Sequence, residues 1–284
     1  MAIQNSLVQK KQKTGITQFL NSEKVIGNIE QALGKMDKQR FITSVISAVN
    51  TNPTLQECTN PSILSGALLG ESLKLSPSPQ LGHYYLVPFN DREKGKVAQF
   101  QLGYKGYIQL AIRSGQYKKI NVLAIKKGEL EYFDPLNEEI KINLMTENWD
   151  EREAAETIGY YAMFELNNGF RKAIYWSKQQ MESHALKYSA GYKAKKGYTF
   201  WEKNFDMMAY KTMLRQLISK WGIMSIEMQQ AFDGDMAVIN EDGTKNYVEV
   251  EEPEIVFETE VVEEPQPQKT ESSGNDVASA LFGK

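Results

Sequence analysis

A chain of 284 residues with 41% hydrophobic and 24% charged residues has the balance of a globular protein, with room for one large domain or two small ones. Its single cysteine, Cys58, excludes an intramolecular disulfide and any cysteine-cluster metal site, and no apolar run approaches the ~20 residues that cross a bilayer. The formal charge of −3 conceals a division: residues 1–232 hold 30 Lys+Arg against 22 Asp+Glu, net +8, while residues 233–284 hold 3 against 14, net −11.

A basic body with an acidic tail is therefore expected, the tail serving to solubilise, to dock a partner or to compete for a nucleic-acid groove. The opening MAIQNSLVQKKQKTG lacks the apolar core of a signal peptide, so a cytoplasmic location is expected, with residues 1–20 as a flexible basic arm. Val25, Ile26, Ile29, Ala32 and Leu33 fall at helical spacing after Ser22, a candidate N-cap. A second helix is expected from about Asp37, carrying Phe41, Ile42, Val45, Ile46 and Val49 on one face and ending by Asn52 and Pro53. A third begins where Asn60 can cap and Pro61 suits the first turn, with Ile63, Leu64, Ala67, Leu68 and Leu73 as its buried stripe.

Ser76-Pro77-Ser78-Pro79 ends the helical part. His83–Phe89 and Lys96–Leu102 read as strands joined across Asn90–Gly95, then Tyr104–Ser114 as a short helix stopped by Gly115. Lys118–Lys126 reads as a strand that pairs with Glu129–Phe133 across Lys127-Gly128. Thr157–Leu166 and Phe170–Ser177 form the clearest hairpin, because Asn168-Gly169 supplies the positive φ of a tight turn. Ser177 caps a helix through Lys187, Ser189–Gly197 is a flexible basic loop, and Phe200–Lys220 is the longest helix. The expected class is α+β: N-terminal helices, a core of residues 21–232 with central antiparallel hairpins packed on helices including one long basic one, and a disordered acidic tail over 233–284. Within the tail, residues 275–283 could form a short partner-binding helix.

Two segments carry the chemistry. The first places Tyr104, Lys105, Tyr107, Arg113, Lys118 and Lys119 among glycines that allow a backbone to come close. The second runs from Lys187 to Trp221 and places Lys193, Lys195, Lys196, Lys203, Lys211, Arg215 and Lys220 beside Phe200 and Trp201. Phosphates need cations and unpaired bases need π-faces, so this interleaving suits a polyanion that carries flat bases. Enzymatic patterns are weaker. No phosphate-binding G-x-x-x-x-G-K-[ST] occurs, since Gly66-Ala67-Leu68-Leu69-Gly70 lacks the lysine; His83 and His184 have no matching ligand pattern, and no nucleophile motif is visible. Asp134 followed by Glu139-Ile140-Lys141 resembles pieces of a metal-dependent nuclease site, which keeps that class open beside a sequence-specific DNA-binding regulator and a purely structural oligomer.

Gly103-Tyr104-Lys105-Gly106-Tyr107-Ile108-Gln109-Leu110-Ala111, the Arg113-Ser114-Gly115 that follows and the later Phe205-Asp206-Met207-Met208-Ala209-Tyr210-Lys211-Thr212-Met213-Leu214-Arg215 resemble the RecT family of phage single-strand annealing proteins, over roughly Pro53 to Phe232. The resemblance implies an ATP-independent recombinase that is not an enzyme. Such a protein coats single-stranded DNA, pairs it with a complementary strand through an annealed duplex intermediate, and assembles into rings or helical filaments. It implies no required cofactor, with Mg²⁺ at most a modulator. The family is related to the phage Redβ proteins, whose C-terminal part meets a partner exonuclease and the host single-strand binding protein; the tail here has no motif that matches.

Overall fold

The computed structural model describes residues 15–35, 37–91, 94–240 and 242–247. Four helices come first among the described residues: α1 (Ile16–Leu20), α2 (Glu23–Leu33), α3 (Lys38–Asn50) and, after a 3₁₀ turn at Pro53–Glu57, α4 (Asn60–Ser72). The chain is thus already helical inside the expected arm, because Leu20 finds a fully buried place in the core. Two caps differ from expectation. Ser22 stands at the N-cap of α2 but its hydroxyl donates back to the Phe19 carbonyl, and Thr59 precedes α4, so that Asn60 and Pro61 occupy the first turn. Cys58 is fully buried, as a structural thiol would be.

Strands β1 (Tyr84–Asp91) and β2 (Gly95–Leu102) form an antiparallel hairpin, followed by α5 (Tyr104–Arg113). Helix α4 packs on this hairpin so closely that a Cβ on Gly70 would lie 2.3 Å from the Tyr84 ring, and one on Gly66 2.8 Å from Leu86. The Gly66–Gly70 pair therefore serves helix-on-sheet packing.

Strand β3 (Tyr117–Lys126) pairs with β6 (Thr157–Leu166), not with the segment that follows it, and β6 pairs with β7 (Arg171–Ser177). Strands β4 (Leu130–Asp134) and β5 (Glu139–Ile142) make a separate two-stranded ribbon. The reason lies in Glu129, which turns inward: its buried carboxylate accepts from the Lys126 and Met145 amides and from Arg152 of α6 (Trp149–Ala154) at 2.6 and 3.1 Å. Burial opposes that charge, but the hydrogen bonds and the Arg152 cation hold its carboxyl below the usual range.

Ser177 closes a capping box with Gln180 and starts α7 (Lys178–Tyr188). The expected basic loop contains a short helix, α8 (Ala190–Lys193). The expected long helix is broken at Asn204 (φ −144°, ψ 60°) into α9 (Phe200–Lys203) and α10 (Phe205–Trp221). Helix α10 is the central element: it packs on β3, β6 and β7 and lies against α5.

The body does not end at Phe232. Helix α11 (Ile226–Gly234) runs past it, then β8 (Ala237–Ile239) joins β2 and β9 (Lys245–Tyr247) joins β8, giving a sheet of order β1-β2-β8-β9. Ala237, Val238 and Ile239 are buried there, which outweighs the acidic composition around them. Residues 248–284, with the expected helix at 275–283, and residues 1–14 lie outside the described residues.

Candidate nucleic-acid interface

Helices α5 and α10 bring the two cationic segments together in parallel. Tyr104 meets Tyr210 edge-on at 5.6 Å near their starts, and Tyr117, just past α5, bonds the Ile223 carbonyl just past α10. At 1.5 Å per residue α5 is about 15 Å long and α10 about 25 Å, so the candidate residues fall into a group at the start and a group at the end.

At the start lies a cleft of about 140 Å³ lined by Tyr85, Tyr104, Phe200, Met207, Met208 and Lys211. Tyr85 and Phe200 touch each other in its lining, their rings tilted at 40° with centroids 5.9 Å apart. Exposed Lys105 stands beside Tyr85, for a Cβ on Gly82 would touch both side chains, and exposed Lys203 directly precedes the lining residue Asn204. Lys193, Lys195 and Lys196 are exposed on the turns that precede α9 in the chain, with the Lys196 ammonium 6.0 Å from the ring of exposed Tyr198. The glycines of this segment do not leave room for a ligand. A Cβ on Gly103 or Gly106 would meet the carbonyls of Gly82 or His83 at 2.1 and 2.2 Å, so both glycines admit the chain's own backbone.

Beneath the cleft sits a buried ionic node. Asp235 accepts from the Leu102 amide (2.8 Å), the Tyr107 hydroxyl (2.8 Å), the Lys211 ammonium (2.8 Å) and the Arg215 guanidinium (3.0 Å). Burial alone would push the Asp235 carboxyl up, but the Lys211 and Arg215 charges and these bonds hold it below the usual range. Burial lowers Lys211, with Asp235 opposing. Arg215 also lies over Phe232 at 5.4 Å, and Phe232 meets Tyr107 edge-on. Lys211 and Arg215 thus have a carboxylate partner inside the fold. Tyr107 is fully buried, and Trp201, largely buried, packs against Phe205, Tyr192 and His184.

At the other end, Arg113 donates to the Leu73 and Lys74 carbonyls that close α4. Lys118 and Lys119 both reach Glu165, at 2.5 and 3.6 Å, while staying exposed. Lys220 lies 5.8 Å from the Trp221 ring, over which Lys172 also sits at 4.3 Å. Tyr85, Tyr198, Met207, Lys172, Trp221 and above all Asp235 escape the sequence reading. Strand alternation placing Tyr84 inward and Tyr85 outward was available as a signal; for Asp235 there was none beyond the hairpin that follows it.

The nuclease-like residues have local work. Asp134 accepts from the Leu136 and Asn137 amides, the Asn137 side chain and Tyr132, which holds its carboxyl below the usual range and closes the β4–β5 turn; Lys141 pairs with Glu131. Among the described residues no group of three or more His, Cys, Asp and Glu could hold a metal ion, and no helix is long and apolar enough to cross a membrane. His184, half-buried among Trp176, Tyr188 and Trp201 and near Lys187, is depressed by that desolvation to about 4 and stays neutral at physiological pH.

The RecT family model matches residues 39–257 of the chain, a span that takes in α5, α10 and Asp235. The chain is 43% identical over 251 residues to the uncharacterized protein YqaK of Bacillus subtilis (strain 168), covering 86% of this chain and 80% of that protein. It is 29% identical over 224 residues to Protein RecT of Escherichia coli (strain K12), covering 78% of this chain and 80% of that protein.

Proposed function

The chain belongs to the RecT family, and from that premise we propose that it binds single-stranded DNA and anneals it to a complementary strand in recombination, without ATP and without catalysis by side chains. The observation that carries this reading is one cleft lined by Tyr104 of the first segment and by Phe200 and Lys211 of the second, with exposed Lys105 and Lys203 next in sequence to lining residues and Lys193, Lys195 and Lys196 exposed on the turns that precede Phe200. Cations at the rim hold the phosphodiester backbone, and bases left outward pair with the second strand. Base pairing is downhill, with stacking of ~1.4 kcal/mol per step, so the protein has only to extend the strands and screen two polyanions from each other. Arg113, Lys118, Lys119 and Lys220 continue the track to the far end of α5 and α10, and several copies in a ring or filament prolong it. Lys211, Arg215, Tyr107 and Trp201 shape the groove from within. Mg²⁺ acts only as a modulator, and the tail meets an exonuclease or a host single-strand binding protein in the bacterial cytoplasm.

The test is annealing of two complementary oligonucleotides without ATP, with strand length checked on a denaturing gel. Faster duplex formation with intact strands is expected. No acceleration sinks the reading, and strand shortening in Mg²⁺ would return Asp134 and Glu139 to the centre.

A further inference from the structure

The cleft between β1, β2 and α10 is too enclosed to be only a stretch of basic surface. Its volume of about 140 Å³ is close to the ~150 Å³ at which an apolar cavity admits a benzene-sized ring. Tyr85, Tyr104 and Phe200 provide ring faces, and Met207 and Met208 provide polarizable thioethers that conform to a flat guest. Such walls attract the face of a base whatever its sequence.

The polar groups in the cleft are those that meet the edge of a base. Gln101 donates its amide nitrogen to Gln99 at 2.7 Å, which orients its carbonyl oxygen as an acceptor. Asn204 interrupts α9 and α10 and gives no side-chain cap to α10, so its amide is available both to donate and to accept. Exposed Lys105 and Lys203 follow and precede the lining residues Tyr104 and Asn204 in the chain, and a cation beside the cleft suits the phosphate of an inserted nucleotide.

We propose that this cleft takes one unpaired nucleobase of the bound strand in each protomer, a single-ring pyrimidine in preference to a purine. The proposal rests on the single-strand binding reading and deepens it: the backbone is held along the rim, and one base per protomer is withdrawn from the stack. Size sets the preference, since the enclosed volume fits one ring and a fused pair would have to displace Phe200 or Met207.

Affinities of the full-length protein for 40-residue oligothymidine and oligoadenosine, over a series of salt concentrations, test it. The wild type should favour oligothymidine by about tenfold, the scale of one stacked base. Met207→Trp fills the cleft from a position that is 50% exposed and should abolish the preference while leaving the salt slope unchanged. Phe200→Ala widens the mouth and should narrow the preference by improving oligoadenosine relative to oligothymidine. A preference that survives Met207→Trp comes from the stiffness of the adenosine strand and overturns the proposal, as does equal wild-type affinity for both strands. Those results leave single-strand binding standing; absence of binding to either strand removes both readings.

Discussion

Lys203 and Lys211 lie two helical turns apart in sequence, and they inhabit opposite electrostatic regimes. The proposed rim cations, Lys105, Lys193, Lys195, Lys196 and Lys203, stand in water, where a charge is inexpensive to hold and is screened by salt. Lys211 and, in part, Arg215 reach into the protein, where both face the buried carboxylate of Asp235. Rim residues can exchange water and counterions for a phosphate with little rearrangement. Residues of the node would have to surrender a buried carboxylate first. A lysine count therefore measures the field around a protein, while the availability of each lysine is decided by what faces it.

The largest test of this contrast is a pair of truncations. Removing residues 248–284 should leave folding and annealing by the purified protein intact and reduce recombination in cells, if the acidic segment docks partners. Removing residues 233–284 takes away Asp235, β8 and β9 as well, and cooperative unfolding, followed by circular dichroism on heating, should be lost or shifted far down. Equal behaviour of the two would mean that the node contributes nothing to the fold.

Next in size is Asp235→Asn, which keeps the shape and removes the charge that compensates Lys211 and Arg215. Leaving the buried Lys211 cation without its carboxylate costs on the order of 3–5 kcal/mol, measurable by urea unfolding; a loss below ~1 kcal/mol would show that Lys211 relaxes into solvent. The same carboxylate sets an acid limit. Its folded pKa is depressed below the ordinary 3.8, so its stabilisation is fully present above about pH 4 and disappears as pH falls through the folded value. Wild type should therefore lose stability on acidification below about pH 4, and Asp235→Asn should lose less of its own over that range.

These consequences show where the sequence was legible. Helices α2, α3, α5 and α7 and the β1–β2 and β6–β7 hairpins are written locally, in apolar spacing, in the Ser177–Gln180 box and in the positive φ of Gly169. The β3–β6 pairing is not local: thirty residues intervene, and the turn away from β3 is caused by Glu129 finding Arg152 inside the fold. The break at Asn204 is hidden because Phe200–Lys220 keeps a helical composition across it. The β8–β9 hairpin did carry a signal, Asp242-Gly243 after Ala237-Val238-Ile239, with Gly243 at φ 82° and Asp242 accepting from Thr244; the surrounding acidic composition outweighed it. For the site, residue type revealed the cations and the rings, but burial divided them, leaving Lys105 and Phe200 at the surface and taking Tyr107, Trp201 and Lys211 inside.

The smallest effect on the fold, and the sharpest on binding, belongs to the rim. Changing Lys105, Lys195, Lys196 and Lys203 together to Ala should leave the denaturation midpoint unchanged, because none of the four is buried. It should lower the slope of log K against log salt for single-strand binding by about 0.7 per lost phosphate contact, up to about 2.8 for all four. Lys211→Ala with Arg215→Ala should do the reverse, lowering stability by several kcal/mol because Asp235 is left unpaired, with little change in slope. Were the double variant instead to remove more of the slope than the quadruple one, the node would have to open on binding. Asp235 would then release both cations to the phosphates, and the boundary between structural and DNA-contacting charge would depend on the ligand.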